Sequence, residues 1–278
     1  DIELIQWYDS TGVFGGSLWV WLCNILIYHA ILSRRGVAWI APAVAVLVPV
    51  AASLVIYFTY TEPEGTVVVT AVQPNFDPYQ KFGGIEEEFQ VNIMLHLAGE
   101  APADVDYIIF PETALDTQTE ERTISSDEVL AQFRRLLAEK YPHARMVIGA
   151  TTRHFYAPGE RVSPTAREYN GHWYDVYNSA LETDTARRVR IHHKSQLVIG
   201  VEKMPYAGRI RWLDNLIRDM GGTTGNLGVD SVRTVFPVEG GPTVGTAVCW
   251  EAVYGRYYSE FVLRGAQVMF IISNDSWW

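Results

Sequence analysis

The sequence predicts an α/β domain preceded by two membrane-spanning helices. After residue 60, apolar β-branched segments alternate with segments of helical periodicity, as in sheets whose faces are covered by helices. Before that point, the 25 residues from Gly36 to Tyr60 carry no charge. At 1.5 Å rise per residue, such a helix is longer than the hydrocarbon core of a bilayer is thick. We therefore assign residues 16–60 to two transmembrane helices and residues 61–278 to the α/β domain.

The two segments differ in how clearly they indicate a membrane helix. Pro42 and Pro49 lie in the second, and a membrane helix tolerates proline better than a soluble helix does. The first, Gly16 to Leu32, is shorter and contains Asn24 and His29. It does not resemble a signal peptide, because the residues before it are acidic and no small-residue cleavage site follows it.

The short loop 33–36 sets the expected orientation. It contains Arg34 and Arg35, and basic residues in short loops favour the cytoplasmic side. Residues 1–15 then form a loop on the opposite side, and the domain 61–278 lies there too. That side is expected to be periplasmic or extracellular.

Composition excludes several classes of function. A net charge of -10 and a pI near 5.2 argue against a nucleic-acid partner, which needs a basic face. The two cysteines form neither a disulfide framework nor a zinc motif. The neighbours His192 and His193 would point to opposite faces of a strand, so no metal site is predicted. The sequence has no glycine-rich phosphate loop, and no cofactor is expected.

The first half of the domain is predicted to form three strands and two helices. Residues 61–66 form a linker, and the β-branched run 67–73 predicts a buried strand. In the segment 85–99, one helical face carries Ile85, Phe89, Ile93 and Leu97. Strand 105–110 follows, then a helix over 125–141 with Ser125 and Glu128 spaced as a capping box, and then strand 144–150.

The second half is richer in strands. Residues 155–172 are rich in proline, glycine and polar residues and are expected to form a loop. Residues 177–183 and 187–193 are expected to pair as a hairpin around Asp184. Three further strands are predicted at 233–238, 242–249 and 267–273, with a helix over 254–265 between the last two.

Reactive side chains follow three of these strands. Glu112 comes after 105–110, Lys194 after 187–193, and Cys249 at the end of 242–249. Strand ends of such sheets are where sites form. A carboxylate can take the thiol proton, and a lysine can favour the thiolate and then an oxyanion.

Each of the three has an ordinary structural explanation. A lone cysteine at a strand end is commonly a core residue, a glutamate after proline a turn residue, and a lysine a solvated side chain. The combination favours catalysis. Cys23 lies in a predicted membrane helix, so Cys249 has no evident disulfide partner, and an unused thiol is a liability in an oxidising compartment.

Five motifs resemble those of the nitrilase superfamily, whose members share a Glu-Lys-Cys triad, and more narrowly its membrane-bound apolipoprotein N-acyltransferase branch. They run in order through the chain: VQPNFDPYQKF, FPETA, HHKSQLVIGVEKMPY, VCWEAVYG and SNDSWW. Lys194 and Glu202 keep the family's eight-residue separation, although Ile199, Gly200 and Val201 replace its usual Pro-Phe-Gly.

The resemblance implies a fold and a set of site residues. The fold is an α-β-β-α sandwich, with the catalytic domain C-terminally incomplete and the chain a fragment of a longer membrane protein. The catalytic residues are Glu112, Lys194 and Cys249. The residues expected to support them or to bind substrate are Phe82 at a position usually held by Trp, Glu202, Trp250, Glu251, Asn274 and Trp277.

The resemblance also implies a reaction. Cys249 takes a fatty acyl chain from a phospholipid as a thioester and passes it to the N-terminal amine of a diacylated lipoprotein. Glu202 and Glu251 are expected either to orient Lys194 and the amine or only to brace the loop. Two alternatives stay open: a membrane-tethered amidase that hydrolyses a small amide, and a non-catalytic membrane anchor or scaffold.

Overall fold

The chain divides into two compact units, Asp1–Thr66 and Val67–Trp278. The structure is a computed structural model that describes residues 2–62, 65–81, 83–199, 202–203 and 226–274. The boundary between the units follows Thr66, the last residue of the segment 61–66 that the sequence predicts as a linker.

The first unit consists of two long helices. α1 spans Tyr8–Ser33 and α2 spans Ile40–Thr59, with short 3-10 turns at Ile2–Leu4 and Gly36–Trp39. Both helices are long and apolar enough to cross a membrane, with mean hydropathies of 1.4 for the first and 2.3 for the second. α1 begins eight residues earlier than the predicted span, and Gly12, with φ 67°, interrupts its helical backbone.

A hydrogen bond between these helices accounts for the proline inside α2. Pro49 has no N–H, so the carbonyl of Ala45, four residues earlier, loses its usual helical donor. The indole Nε1 of Trp19 in α1 donates to that carbonyl at 2.6 Å. In an apolar surrounding, an unpaired carbonyl would cost several kcal/mol, and Trp19 removes that cost.

The second unit contains two sheets. The large sheet has the order β1-β2-β4-β6-β5, with β3 also pairing with β4 and β7 with β6, and the small sheet has the order β10-β9-β8. β1, β2, β3 and β4 pair in parallel, as do β9 and β10, whereas the pairs that β6 makes are antiparallel. The strands are β1 Val69–Ala71, β2 Tyr107–Ile109, β3 Leu115–Glu120, β4 Arg145–Phe155, β5 Arg167–Tyr169, β6 His172–Thr183, β7 Val189–His193, β8 Val235–Phe236, β9 Val244–Val248 and β10 Val268–Ile272.

Four described helices accompany these sheets. They are α3 Pro78–Lys81, α4 Glu87–Ala98, α5 Glu128–Lys140 and α6 Gly255–Leu263. Two 3-10 turns, Ile124–Ser126 and Cys249–Val253, precede α5 and α6.

Side chains along β2 show how the layers stack. Ile108 belongs to the core shared with α4 and α5. Tyr107, which points the other way, packs with Phe236 and Phe270 of the small sheet, and α6 contributes Phe261 to a cluster with β9. This alternation places one sheet face against helices and the other against the second sheet. The arrangement is the four-layer α-β-β-α sandwich that the resemblance implied.

Some local predictions were wrong. Asp127, not Ser125, caps α5, because its carboxylate accepts from the backbone N–H of Leu130 at 2.8 Å. In α4 the buried apolar stripe includes Met94, whereas Phe89 is exposed. The segment predicted as a loop contains the edge strand β5, and the polar strand β3 was not predicted.

Candidate functional site

The site is built on the carboxyl ends of strands from both sheets. Glu112 follows β2, Lys194 follows β7, and Cys249 follows β9. Nζ of Lys194 donates to Oε1 of Glu112 at 2.8 Å, and both side chains are buried. Residues 82 apart in sequence therefore meet because the sheet brings its strand ends together.

Lys194 lies between two carboxylates. Its ammonium also contacts Glu202, 2.9 Å from each of the two carboxylate oxygens. Oε2 of Glu202 accepts in addition from the backbone N–H of Val198 at 2.9 Å. Burial opposes the charged ammonium, but the carboxylates of Glu112 and Glu202 outweigh that effect and raise the pKa of Lys194 to about 12. Lys194 is therefore a fixed positive charge at neutral pH.

Asn178, in β6, joins the two carboxylates. Its Nδ2 donates to Oε1 of Glu112 at 2.7 Å and to Oε1 of Glu202 at 2.8 Å. Its own carbonyl accepts from the backbone N–H of Lys194 at 2.8 Å. The sequence analysis did not predict a role for Asn178. The feature that indicates one is a polar amide side chain inside a strand that is otherwise predicted to be buried.

Cys249 sits where β9 turns into the 3-10 segment. Its φ is 49°, a left-handed conformation that is uncommon outside glycine and that clusters at functional sites. The carboxylate of Glu112 and the ammonium of Lys194 both act electrostatically on its thiol. Lys194 and Glu112 are in direct contact, and both influence the pKa of Cys249; that the three act together as a catalytic triad stays a prediction.

The surroundings of Cys249 favour the protonated thiol. Burial and then the negative charge of Glu112 raise the pKa of the thiol, and the hydrogen bond with Ser273 and the charge of Lys194 offset this only in part. Lys194 does favour the thiolate, but it is outweighed. Cys249 therefore rests as a thiol, and its attack needs a base to remove the proton.

Two residues that the sequence reading missed hold the backbone of Glu112. Gly149 in β4 makes room for it, because a Cβ there would lie 2.3 Å from the carbonyl oxygen of Pro111 and 2.6 Å from Cα of Glu112. Nζ of Lys81 donates to the carbonyl of Glu112 at 3.3 Å and to Oγ1 of Thr113 at 2.9 Å. Burial lowers the pKa of Lys81 to about 8, against the raising effect of nearby Asp116 and Glu112.

Glu251 has a different place from the one expected. It is fully buried, and its carboxylate accepts from the backbone N–H groups of Val248 and Ser195 rather than from Nζ of Lys194. Two roles were expected for Glu251. The geometry fits the one in which it braces the loop, because no face of the carboxylate is open to a substrate amine.

Two of the remaining predicted site residues, Trp250 and Asn274, are among the described residues. Trp250 is partly exposed, and its Nε1 donates to the hydroxyl of Tyr254 at 2.9 Å. Asn274 lines a cavity of 540 Å³ together with Lys81 and Ser273. Phe82 and Trp277 lie outside the described residues. Among the residues that the structure describes, no group of three or more His, Cys, Asp or Glu side chains could hold a metal ion.

A protein-family model matches the domain that contains these residues. Residues 69–278, nearly the whole second unit, match the model of the carbon-nitrogen hydrolase family. The chain belongs to the carbon-nitrogen hydrolase family. Its α/β sandwich, with a glutamate, a lysine and a cysteine at strand ends, is thus the family domain.

Individual relatives extend the likeness to the long helices. The chain is 27% identical to an apolipoprotein N-acyltransferase of Chlorobaculum tepidum, over 99% of this chain and 53% of the relative. It is 29% identical to apolipoprotein N-acyltransferase 1 of Treponema pallidum, over 75% of this chain and 38% of the relative. The chain therefore spans about half the length, or less, of the curated relatives it matches.

Solved structures give a more distant likeness. A carbon-nitrogen hydrolase from Helicobacter pylori G27 is 14% identical, with a TM-score of 0.43, over 74% of this chain and 60% of that one. A mutant of the amidase from Nesterenkonia sp. AN1 is 12% identical, with a TM-score of 0.46, over 77% and 68%.

Proposed function

We propose that this chain contains the acyl-carrying site of an apolipoprotein N-acyltransferase. The observation that carries the proposal is the relative from Chlorobaculum tepidum, which matches 99% of this chain and so includes the two long apolar helices as well as the family domain. A domain that acts on lipid substrates has a reason to be attached to a membrane, whereas a hydrolase of small amides needs no such anchor.

The first half of the reaction loads the cysteine. Glu112 takes the proton of Cys249 as the sulfur attacks the ester carbonyl of a phospholipid acyl chain. The ammonium of Lys194 stabilises the negative charge that develops on the carbonyl oxygen, together with the backbone N–H of Trp250. The tetrahedral intermediate collapses, Glu112 returns the proton to the departing alkoxide, and a lysophospholipid leaves a thioester on Cys249.

The second half of the reaction transfers the acyl chain from Cys249 to the acceptor. The N-terminal amine of a diacylated lipoprotein attacks the thioester carbonyl, and Glu112 accepts a proton from the attacking nitrogen. The carbon–sulfur bond breaks, an amide forms, and the proton returns to the sulfur. This order fits a thiol with a raised pKa, because Glu112 must act as base in the loading step.

The resting charges favour this assignment of roles. Lys194 carries its positive charge at neutral pH, whereas Cys249 does not carry a negative one. The positive charge is thus in place before the substrate arrives, and Asn178 and Glu202 hold the lysine rigidly. Such preorganisation is the largest single contribution in many enzymes that stabilise an oxyanion.

Location follows from the same proposal. Arg34 and Arg35 between the helices favour a cytoplasmic loop, so the second unit faces the periplasm of a bacterial inner membrane. Both lipid substrates are available on that face of the membrane.

The experiment is intact-mass spectrometry of the protein purified from membranes and supplied with phospholipid. We expect a mass increase equal to one acyl chain, mapped by peptide analysis to Cys249 and removed by hydroxylamine. Cys249→Ala must carry no adduct, and Cys23→Ala must carry a normal one. If phospholipid never labels Cys249 in the otherwise unchanged protein, the proposal is wrong.

A further inference from the structure

The carboxylate of Glu251 joins the backbones beside two of the proposed catalytic residues. Its Oε2 accepts from the N–H of Val248 at 2.9 Å, and its Oε1 accepts from the N–H of Ser195 at 2.7 Å. Val248 immediately precedes Cys249, and Ser195 immediately follows Lys194. One buried side chain thus fixes the cysteine loop against the lysine loop, although β9 and β7 belong to different sheets.

Two further side chains complete the bonding of this carboxylate. Tyr257 donates its hydroxyl to Oε1, and His192 lies with Nε2 3.1 Å from Oε2. Both Glu251 and His192 have no exposed surface. Although burial favours the protonated acid, His192 and the other donors outweigh it and lower the pKa of Glu251, so the carboxylate remains charged.

The surroundings of His192 fix which ring nitrogen faces Glu251 as the donor. Nδ1 lies 3.4 Å from the backbone N–H of Thr234 and accepts from it. Nε2, which faces the carboxylate, is therefore assigned as the N–H donor of the ring. The ring also packs edge-on against Phe261, with 5.1 Å between centroids. Hydrogen bonding and packing can thus be separated by substitution.

We propose that His192 is a positioning residue for the acyl-transfer reaction, acting through Glu251 to set the distance between Cys249 and Lys194. Cys249 has a left-handed backbone that persists only when its surroundings hold it. Val248 supplies that hold through its bond to Glu251, and the carboxylate keeps its direction because His192 binds the same oxygen. Without the His192 donor, the carboxylate can rotate away from Val248, and the thiol loses its alignment.

This inference rests on the proposed roles of Cys249 and Lys194 and adds a residue that touches neither. The ordinary alternative is that His192 only fills the space between β7 and α6. In that case a residue of similar shape would serve as well as one that donates a hydrogen bond.

Three substitutions in a Cys23→Ala background separate these roles. His192→Phe keeps a ring and removes the donor. His192→Gln keeps an N–H donor of similar reach and removes the ring. Phe261→Leu is the matched control, because it weakens the packing around His192 and leaves the hydrogen bond to Glu251 in place.

Three readouts are measured on each variant. They are the rate of acyl loading from phospholipid as a function of donor concentration, the pH dependence of Cys249 alkylation by iodoacetamide, and the thermal unfolding midpoint. We expect His192→Phe to lower the maximal loading rate by about tenfold or more, since small misplacements of reacting groups are costly. The donor concentration at half-maximal rate should stay the same, and the alkylation midpoint should shift. His192→Gln should restore both values to near those of the parent, and Phe261→Leu should lower thermal stability without moving the midpoint.

The outcomes also distinguish this inference from the proposed function. If His192→Phe loads at the parental rate with an unshifted midpoint, or if the Gln and Phe variants are equally impaired, His192 does not act through its hydrogen bond and the inference is wrong. If the parent never loads but the midpoint shifts in the Phe variant and not in the Gln variant, the positioning role stands and the acyltransferase proposal fails.

Discussion

The Glu112 carboxylate accepts a 2.8 Å hydrogen bond from Nζ of Lys194, and the two groups shift the pKa of the Cys249 thiol in opposite directions. The thiol therefore experiences a negative and a positive charge at close range, and each acts on its pKa in the opposite direction. This relationship can be measured without any substrate.

Removing either charge should move the reactivity of Cys249 in opposite senses. Glu112→Gln removes the negative charge that raises the pKa of the thiol, so alkylation by iodoacetamide at pH 7 to 8 should become faster. Lys194→Met removes the charge that lowers that pKa, so alkylation should become slower. The rates are measured across a pH series in a Cys23→Ala background, so that a single thiol is followed. Shifts in the same direction for both variants would contradict the electrostatic description of the site.

Asn178 should matter more for its donor than for its volume. Asn178→Ala removes the N–H group shared by Glu112 and Glu202, and leaving buried acceptors short of a donor costs about 1–3 kcal/mol. Asn178→Asp is nearly the same size but places a third carboxylate beside the other two. We expect it to lower the thermal midpoint further than Asn178→Ala does, as measured by differential scanning fluorimetry. A more stable Asp variant would mean that the amide does not bridge the two carboxylates.

Gly149 should be required for the position of Glu112. In Gly149→Ala the new methyl group would meet the backbone of Pro111 and Glu112 at 2.3–2.6 Å, so the turn that carries Glu112 must move. Acyl loading of Cys249 should fall by about 10²-fold, the order expected for a misplaced catalytic group.

The matched control is Gly255→Ala at the start of α6, where an added Cβ meets nothing within 4 Å. It should leave acyl loading unchanged and, if it alters stability, should raise it by about 0.4–1 kcal/mol. If the two alanine variants load acyl chains at the same rate, Gly149 is not required for the position of Glu112.

The pattern of strands and helices was predictable because it depends on local periodicity. The apolar run before Glu112 and the run before Cys249 were recognisable as strands, and their ends were recognisable as the place for a site. β3 was not, because its residues Leu115–Glu120 are mostly polar and their partner β4 is chosen by the tertiary fold. Local sequence cannot supply that information.

The site was predictable to the extent that its residues carry reactive groups. Lys81 and Gly149 act on the backbone of Glu112, and nothing in their neighbouring sequence indicates a partner more than 30 residues away. Asn178 and His192 have polar side chains in buried strands. Such residues signal a hydrogen-bonded network, but the identity of the partner depends on how the sheets stack.

The proposed orientation predicts where the second unit lies. A reporter joined after Tyr60 should be active only when the reporter is one that works in the periplasm, such as alkaline phosphatase. Replacing Arg34 and Arg35 with glutamine should reduce that activity, because the basic residues of the short loop favour the cytoplasmic side. Strong activity of a cytoplasmic reporter at the same junction would reverse the orientation.

Loss of each proposed catalytic group should impair thioester formation in its own way. Cys249→Ser should not load, since a hydroxyl is far harder to deprotonate than a thiol. Glu112→Gln should also fail to load although its thiol alkylates faster, because the base is lost. Lys194→Ala should lower the loading rate by about 10²–10³, the usual cost of one oxyanion donor. Normal loading by Glu112→Gln would require a different base.

Transfer of the acyl chain to an amine, as opposed to water, is what distinguishes an acyltransferase from a hydrolase, and discharge of the loaded protein measures it. Protein carrying an acyl chain on Cys249 is separated from phospholipid, and the loss of the acyl mass is followed with and without a diacylated peptide that has a free amino terminus. The same peptide with an acetylated amino terminus is the control. We expect a thioester that persists alone and with the acetylated peptide, and that is discharged by the free amine with formation of the N-acyl peptide. Equal decay in all three samples would contradict it, since water would then be the acceptor and the site would be that of a hydrolase.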